Sequence, residues 1–147
     1  PVLEVVRAAF QDHFGYVERP FDEHFEEWSH FWEANYEPGL WILALDGAHI
    51  AGVVLCKSSH AGEEDRGWVT TLAVRREYRR RGIGMALLYA AFAVFYQRGK
   101  QRIGLGVDAS SLTGATELYR RTGMQMATHY CLFEKELRTG VDMTTSE

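Results

Sequence analysis

The sequence predicts a mixed α/β domain. Three observations carry that prediction. Helical periodicity in the first third gives way to β-rich runs, and from there the order is hairpin, strand, helix, strand, helix, strand. The dipeptide Asp46-Gly47 stands between two such runs, a strong hairpin signal. The apolar run Trp68 to Val74 passes through a polar turn into helical spacing at Ile83, Leu87, Ala91 and Val94, so a buried strand hands over to a helix.

Each element has a local reason. Val2, Val5, Val6, Ala9, Phe10 and His13 fall at helical spacing, and Gly15 is read as the stop. Pro20 opens a second helix with Phe21, Phe25, Trp28 and Trp32 on one stripe, expected to be core, and with Asp22, Glu23, Glu26 and Glu27 facing away. Leu40–Leu45 and Ile50–Lys57 form the hairpin, and Ser58–Gly67 is a polar loop holding Glu63, Glu64 and Asp65. The long helix runs to about Arg98 and stops at Gly99. Arg102–Val107 is a further strand, Thr113–Arg121 a helix stopped by Gly123, and Gln125–Leu137 the last strand or strands. Residues 1–138 make one domain, and the polar tail 139–147 is expected to be disordered.

Between the central strand and the long helix, Arg75 to Arg81 carries five arginines, followed by Gly82-Ile-Gly84-Met85. A helix start leaves amide N–H groups without partners and carries partial positive charge, which suits an anion. Gly82 and Gly84 allow close approach to the backbone, and Arg79, Arg80 and Arg81 supply guanidinium groups matched to phosphate oxygens. The turn is therefore read as a pyrophosphate cradle. No Gly-Lys-Ser/Thr ending is present, and Leu87 breaks the dinucleotide Gly-x-Gly-x-x-Gly pattern.

These residues resemble a known family. Leu72-Ala73-Val74 followed by Arg79-x-x-Gly82-x-Gly84 is similar to the acetyl-CoA-binding motif of the GNAT N-acetyltransferases. A later block, Val107 to Met124, resembles that family's second motif, with Ala115, Tyr119 and Gly123 in its pattern. Position 112, where the family often has Asn, is Leu, so Ser110, Ser111 or Thr113 would cap the helix and bind the CoA arm. The resemblance implies a mostly antiparallel sheet flanked by helices and splayed at the central strand. The family's usual first strand is missing here. It also implies acetyl-CoA as co-substrate, an amine acceptor, and the pantetheine arm held by backbone groups near Leu72 and Val74. The diphosphate would lie on the amides of residues 81 to 84 and on Met85. Tyr119 would be the general acid that protonates the leaving thiolate.

Gly67-Trp-Val-Thr-Thr-Leu-Ala-Val74 and Ala9-Phe10-x-Asp12-His13-x-Gly15 are closest in pattern to the C-terminal half of mycothiol-synthase-like tandem GNATs. That pattern puts a glutamate where this chain has Trp68. The general base is left open among Thr70 through a water, Glu33, His30 and the acids at 63 to 65; His24, His49, His60 and His129 are read as surface or packing residues. The resemblance implies direct attack in a ternary complex, with a second GNAT domain or a homodimer as partner. The rival reading is a non-catalytic CoA-binding or bracing module of a larger protein.

Bulk composition narrows the field. With 46% hydrophobic and 24% charged residues the chain reads as an ordinary globular domain. A net charge of −4 argues against general nucleic-acid affinity, so the arginine turn suits a phosphorylated small ligand better. No apolar run approaches the ~20 residues that span a bilayer. Cys56 and Cys131 make neither a disulfide framework nor a metal pattern. They are read as buried strand thiols in a reducing cytoplasm. No metal is expected.

Overall fold

The computed structural model describes residues 1–13, 16–107, 114–131 and 135. Among these residues nine elements follow in chain order: α1 (Val2–Phe10), α2 (Phe21–Asn35), β1 (Trp41–Asp46), β2 (His49–Lys57), β3 (Arg66–Val74), a 3₁₀ turn (Arg76–Tyr78), α3 (Ile83–Gln97), β4 (Arg102–Leu105) and α4 (Ala115–Arg121). The sheet order is β1-β2-β3-β4. β1 and β3 flank β2 antiparallel, whereas β4 lies parallel to β3. Among the described residues no strand precedes α1.

Alternation along β2 builds two cores. Val54 and Cys56 join Val69 and the α3 residues Leu87, Leu88, Ala91 and Phe95 on one face. Val53 and Leu55 join Ala73, Val5, Ala9 and Trp32 on the other, beneath α1 and α2. At Gly67 a side chain would meet Phe95 at 2.5 Å, so the strand there has room only for glycine. Burial pushes the Cys56 thiol up to about 12, so it stays protonated.

Several expectations need correction. α1 ends at Phe10, before the glycine read as its stop; Phe14 and Gly15 lie outside the described residues. The α2 stripe is core only at its C-terminal end. Trp32 is 4% exposed, but Phe21 and Phe25 are 41% and 48% exposed. The rings stack from Phe21 to Phe25 to Trp28, and only Trp28 and Trp32 reach the sheet, at Trp41. Periodicity identifies a shared face, not how far the sheet extends beneath it. β3 begins two residues earlier than expected, because Arg66 and Gly67 find parallel partners in Arg102 and Ile103. Gln125–Cys131 forms no strand, and Met126 and Tyr130 are 75% and 86% exposed. β-propensity without a partner ladder leaves backbone groups to water. Cys131 is accordingly exposed, not buried. Residues 132–134 of that run and the tail 139–147 lie outside the described residues, as do Ser110, Ser111, Leu112 and Thr113.

Candidate active site

The site is built where β3 and β4 part. Their pairing stops at Val69↔Leu105, while β3 runs on to Val74. At the same point the register against β2 slips, since Leu55 faces Thr71 and Cys56 faces Val69, leaving Thr70 as an extra residue. A β-bulge bends its strand and redirects the groups beside it. The Thr70 hydroxyl is buried and has no hydrogen-bond partner among the described residues.

Backbone polarity past the bulge can be followed outward from one bond. The Arg75 N–H donates to Ala51 O at 2.9 Å, across to β2. Polar groups alternate sides along a strand, so those of Thr71 and Ala73 face β2, and those of Leu72 and Val74 face the gap left by β4. The Val74 carbonyl is already taken, because Arg79 Nε donates to it at 3.2 Å. Among the described residues the Leu72 N–H and C=O and the Val74 N–H remain as the open edge for an extended ligand.

The gap leads to the start of α3. Gly82 caps it at φ +80, with no side-chain cap bond. The helix ladder begins with Ala86 N–H donating to Gly82 O at 3.0 Å, so the Ile83, Gly84 and Met85 amides have no helical partner. A β-carbon on Gly82 would meet nothing within 4 Å, whereas one on Gly84 would meet Leu118 Cδ2 of α4 at 3.2 Å. Gly82 is thus needed for its left-handed backbone, and Gly84 for close packing of α3 on α4. Arg80, unusually for a side-chain-bearing residue, also takes positive φ, at +59.

Together these elements enclose a cleft of about 660 Å³. Thr70–Val74 lines one wall, Leu105–Val107 the other, and Arg79, Arg80 and Gly82–Met85 the base; Leu118, Tyr119 and Arg121 come from α4 and Phe10, Asp12 and His13 from the end of α1. The volume suits a small-molecule ligand. Tyr119 is half-buried, and burial raises its phenol above the ordinary tyrosine value, so it remains protonated at neutral pH.

The predicted arginines divide three ways. Arg80 lines the cleft. Arg79 lines it too, but its guanidinium is engaged by both Asp12 oxygens and by the Ala9 carbonyl at 2.7 Å. It ties the end of α1 to β3, and that pairing holds the Asp12 carboxyl below its usual range. Arg81 lies outside the cleft lining, 5.3 Å over the Tyr78 ring.

Of the candidate bases, only Thr70 reaches the cleft. His30 and Glu33 pair with each other on the solvent side of α2. Glu63 and Asp65 pair with Arg66 and Arg102. Residues that sequence reasoning did not single out include Arg121 and Gly106, which enter the cleft because α4 and β4 converge there. Among the described residues no group of three His, Cys, Asp or Glu side chains is placed to hold a metal ion.

Comparison with known proteins agrees with this geometry. Residues 3–124 match the model of the Acetyltransferase (GNAT) family. N-alpha-acetyltransferase 30 of Schizosaccharomyces pombe is 30% identical over 108 residues, which are 73% of this chain and 71% of that protein. A GCN5-related N-acetyltransferase structure from Sphaerobacter thermophilus superposes with a TM-score of 0.66 at 39% identity. It covers 83% of this chain, but the chain spans only 36% of that protein. The aminoglycoside N-acetyltransferase AAC(6')-Iy in complex with CoA, at 13% identity and a TM-score of 0.58, covers 82% of this chain and 99% of its own and shares the fold alone. A splayed sheet that opens onto an uncapped helix start, together with the matched family model, assigns this chain to the GNAT acetyltransferase family.

Proposed function

We propose that this domain transfers the acetyl group of acetyl-CoA to a primary amine by direct attack in a ternary complex. The observation that carries the reading is the run of backbone groups, unpaired among the described residues, from the Thr70 bulge along Leu72 and the Val74 N–H to the amides of Ile83–Met85. An extended thioester arm needs strand-like partners, and a diphosphate needs converging N–H donors. This chain supplies both on one continuous edge. Leu72, Ala73 and Val74 hold the arm, with Ala73 contributing shape, since its own polar groups face β2. Arg80, Gly82, Ile83, Gly84 and Met85 hold the diphosphate, and Arg79 braces the turn that presents them. Arg81 acts from the rim as a screening charge.

Acetyl transfer asks for a polarised carbonyl, a neutral amine and a proton for the departing thiolate. Amides redirected at the bulge can polarise the carbonyl. Tyr119, half-buried and protonated, donates the proton. No covalent acetyl carrier is invoked, because the Cys56 thiol is buried in the α3 core and held protonated.

The relatives support one acceptor class to test first. The fission yeast protein is named an N-alpha-acetyltransferase, which makes a peptide or protein α-amine the first acceptor to test. The 36% coverage of the Sphaerobacter protein supports reading the chain as one unit of a longer tandem protein, with its second GNAT domain or a second copy as partner. A cytoplasmic setting, with neither nucleic acid nor membrane as partner, completes the reading; no helix among the described residues is long and apolar enough to cross a membrane. The test is calorimetric titration with CoA, followed by thiol release from acetyl-CoA over a panel of N-terminal peptides and small amines. CoA binding without turnover on any amine would favour a non-catalytic module. Absence of CoA binding would refute the assignment.

A further inference from the structure

Two side-chain polar atoms among the described residues are buried without a hydrogen-bond partner, Trp41 Nε1 and Thr70 Oγ1. The Trp41 indole belongs to an aromatic cluster, 4.9 Å from the Trp32 ring and 5.1 Å from Tyr36. Thr70 instead lines the cleft. A buried hydroxyl left unpaired costs stability, so one that persists at a cleft wall points to a group that arrives with the ligand. The bulge provides the setting. Thr70 is the residue left over in the register against β2, and it is the first beyond the last β3–β4 couple, Val69↔Leu105. Bulges re-aim the side chains they carry.

The length of the open edge brings Thr70 to the end of the thioester arm. The start of α3 abuts the end of β3, since a β-carbon on Gly84 would lie 3.8 Å from Val74 Cγ2. A diphosphate on the Ile83–Met85 amides therefore begins its arm beside Val74. From Val74 back to Thr70 is four steps of strand, about 13 Å. The arm between diphosphate and sulfur is a chain of roughly four residues' length, which spans about 13–14 Å when extended. An arm that follows the Val74 N–H and Leu72 toward the apex thus ends with its acyl carbonyl at Thr70. Tyr119 lines the same cleft. A threonine hydroxyl keeps its proton unless an adjacent base takes it, and among the described residues Thr70 hydrogen-bonds to none. It is therefore a donor and not a base. The side chain as a whole is half-buried, and a turn about Cα–Cβ between staggered positions brings the hydroxyl to the cleft.

Resting on the acetyl-transfer reading above, we infer that the Thr70 hydroxyl donates a hydrogen bond to the carbonyl oxygen of the acetyl thioester. As the neutral amine attacks, the N–C bond forms and the carbonyl π pair moves onto oxygen. The charge that gathers there lies against the Thr70 O–H, so the bond is stronger in the transition state than in the ground state. The nitrogen then releases its extra proton to water. On collapse the pair returns to re-form the carbonyl, the C–S bond breaks, and sulfur leaves with its electrons and takes the proton of Tyr119. Thr70 keeps its own proton throughout.

The test compares wild type with Thr70→Val, which keeps the shape and removes the hydroxyl, and Thr70→Ser, which keeps the hydroxyl. Without ligand, Thr70→Val should melt about 2–4 °C above wild type, because an unpaired buried group is gone. Calorimetry should give it wild-type affinity for CoA, which has no acyl carbonyl, and affinity for acetyl-CoA weaker by about 3- to 10-fold. Its kcat on an accepted amine should fall about 10²-fold. Thr70→Ser should bind acetyl-CoA and turn over within a few-fold of wild type. A Thr70→Val protein that binds acetyl-CoA and turns over like wild type overturns the inference. So do equal losses for CoA and acetyl-CoA, which a distorted cleft would give, and a Thr70→Ser protein no better than Thr70→Val. A Thr70→Val protein less stable than wild type overturns it too, since the hydroxyl would then have a partner already. Each of these leaves the acetyl-transfer reading intact. A wild-type protein that does not bind CoA overturns that reading, and the role of Thr70 with it.

Discussion

Gly82→Glu separates the chemistry of the phosphate cradle from the stability of the domain. The glycine sits at φ +80, where a side-chain-bearing residue is disfavoured by about 1–2 kcal/mol. A β-carbon there meets no atom within 4 Å, so no steric penalty is added. A carboxylate at the start of α3 returns about 0.3–1 kcal/mol through the helix dipole. The net cost is about 1 kcal/mol, a fall in Tm of about 2–4 °C for a chain of this size. Ligand binding suffers far more. A carboxylate held ~5 Å from a phosphate charge, at an effective dielectric near 20, is repelled by about 3 kcal/mol, which is on the order of 10²-fold in affinity. The carboxylate also competes for the amides of Ile83–Met85. Calorimetric titration with CoA, paired with thermal unfolding followed by circular dichroism, reads both quantities. Gly82→Ala is the control: it carries the backbone strain without the charge and should keep CoA affinity within a few-fold. A folded Gly82→Glu protein that binds CoA like wild type would remove the cradle from α3.

Four further outcomes follow from specific contacts. Tyr119→Phe should lower kcat by about 10²-fold with CoA affinity unchanged, because burial keeps the wild-type phenol protonated; its contribution should persist until the pH rises above the ordinary tyrosine value near 10. An unaltered kcat would place the proton donor elsewhere. Titration with a disulfide reagent should find one fast thiol, Cys131, and leave Cys56 unreacted until the protein unfolds. Asp12→Asn should cost less than about 1 kcal/mol at neutral pH, since the pair with Arg79 is partly exposed. As the folded-state value of Asp12 is lowered, that stabilisation is present above the ordinary carboxylate range and lost as pH falls below it, so urea midpoints of the two proteins should converge in acid. Gly67→Ala, which puts a methyl 2.5 Å from the Phe95 ring, should destabilise by about 1–3 kcal/mol or more, seen as a lower urea midpoint.

Much of the site was legible because its parts are local. A strand, a glycine at the helix cap and a helix register are properties of consecutive residues, so Leu72–Val74, Gly82–Met85 and Tyr119 could be picked out and all of them line the cleft. Guanidinium assignments were less legible. Arg79, Arg80 and Arg81 are adjacent and chemically identical, yet one braces α1, one lines the cleft and one stacks on Tyr78. A long side chain reaches partners distant in sequence, and Asp12 lies 67 positions from Arg79. His60 shows the same blindness. Nothing in its loop sequence reports that an indole eight residues later will lie beneath it.

Residue order by itself determined the element sequence as far as α4, the hairpin at Asp46-Gly47, the helix start at Gly82 and the family to which they belong. Those features depend on propensity and periodicity, which act over a few neighbouring residues. Only the tertiary structure decided where β4 leaves β3, that Thr70 bulges, that the Val74 carbonyl is already occupied, and that half of the α2 stripe meets no sheet. Each of these depends on which distant group arrives as a partner, and an unpaired hydrogen bond or an uncovered ring is defined by what is absent across space, not along the chain.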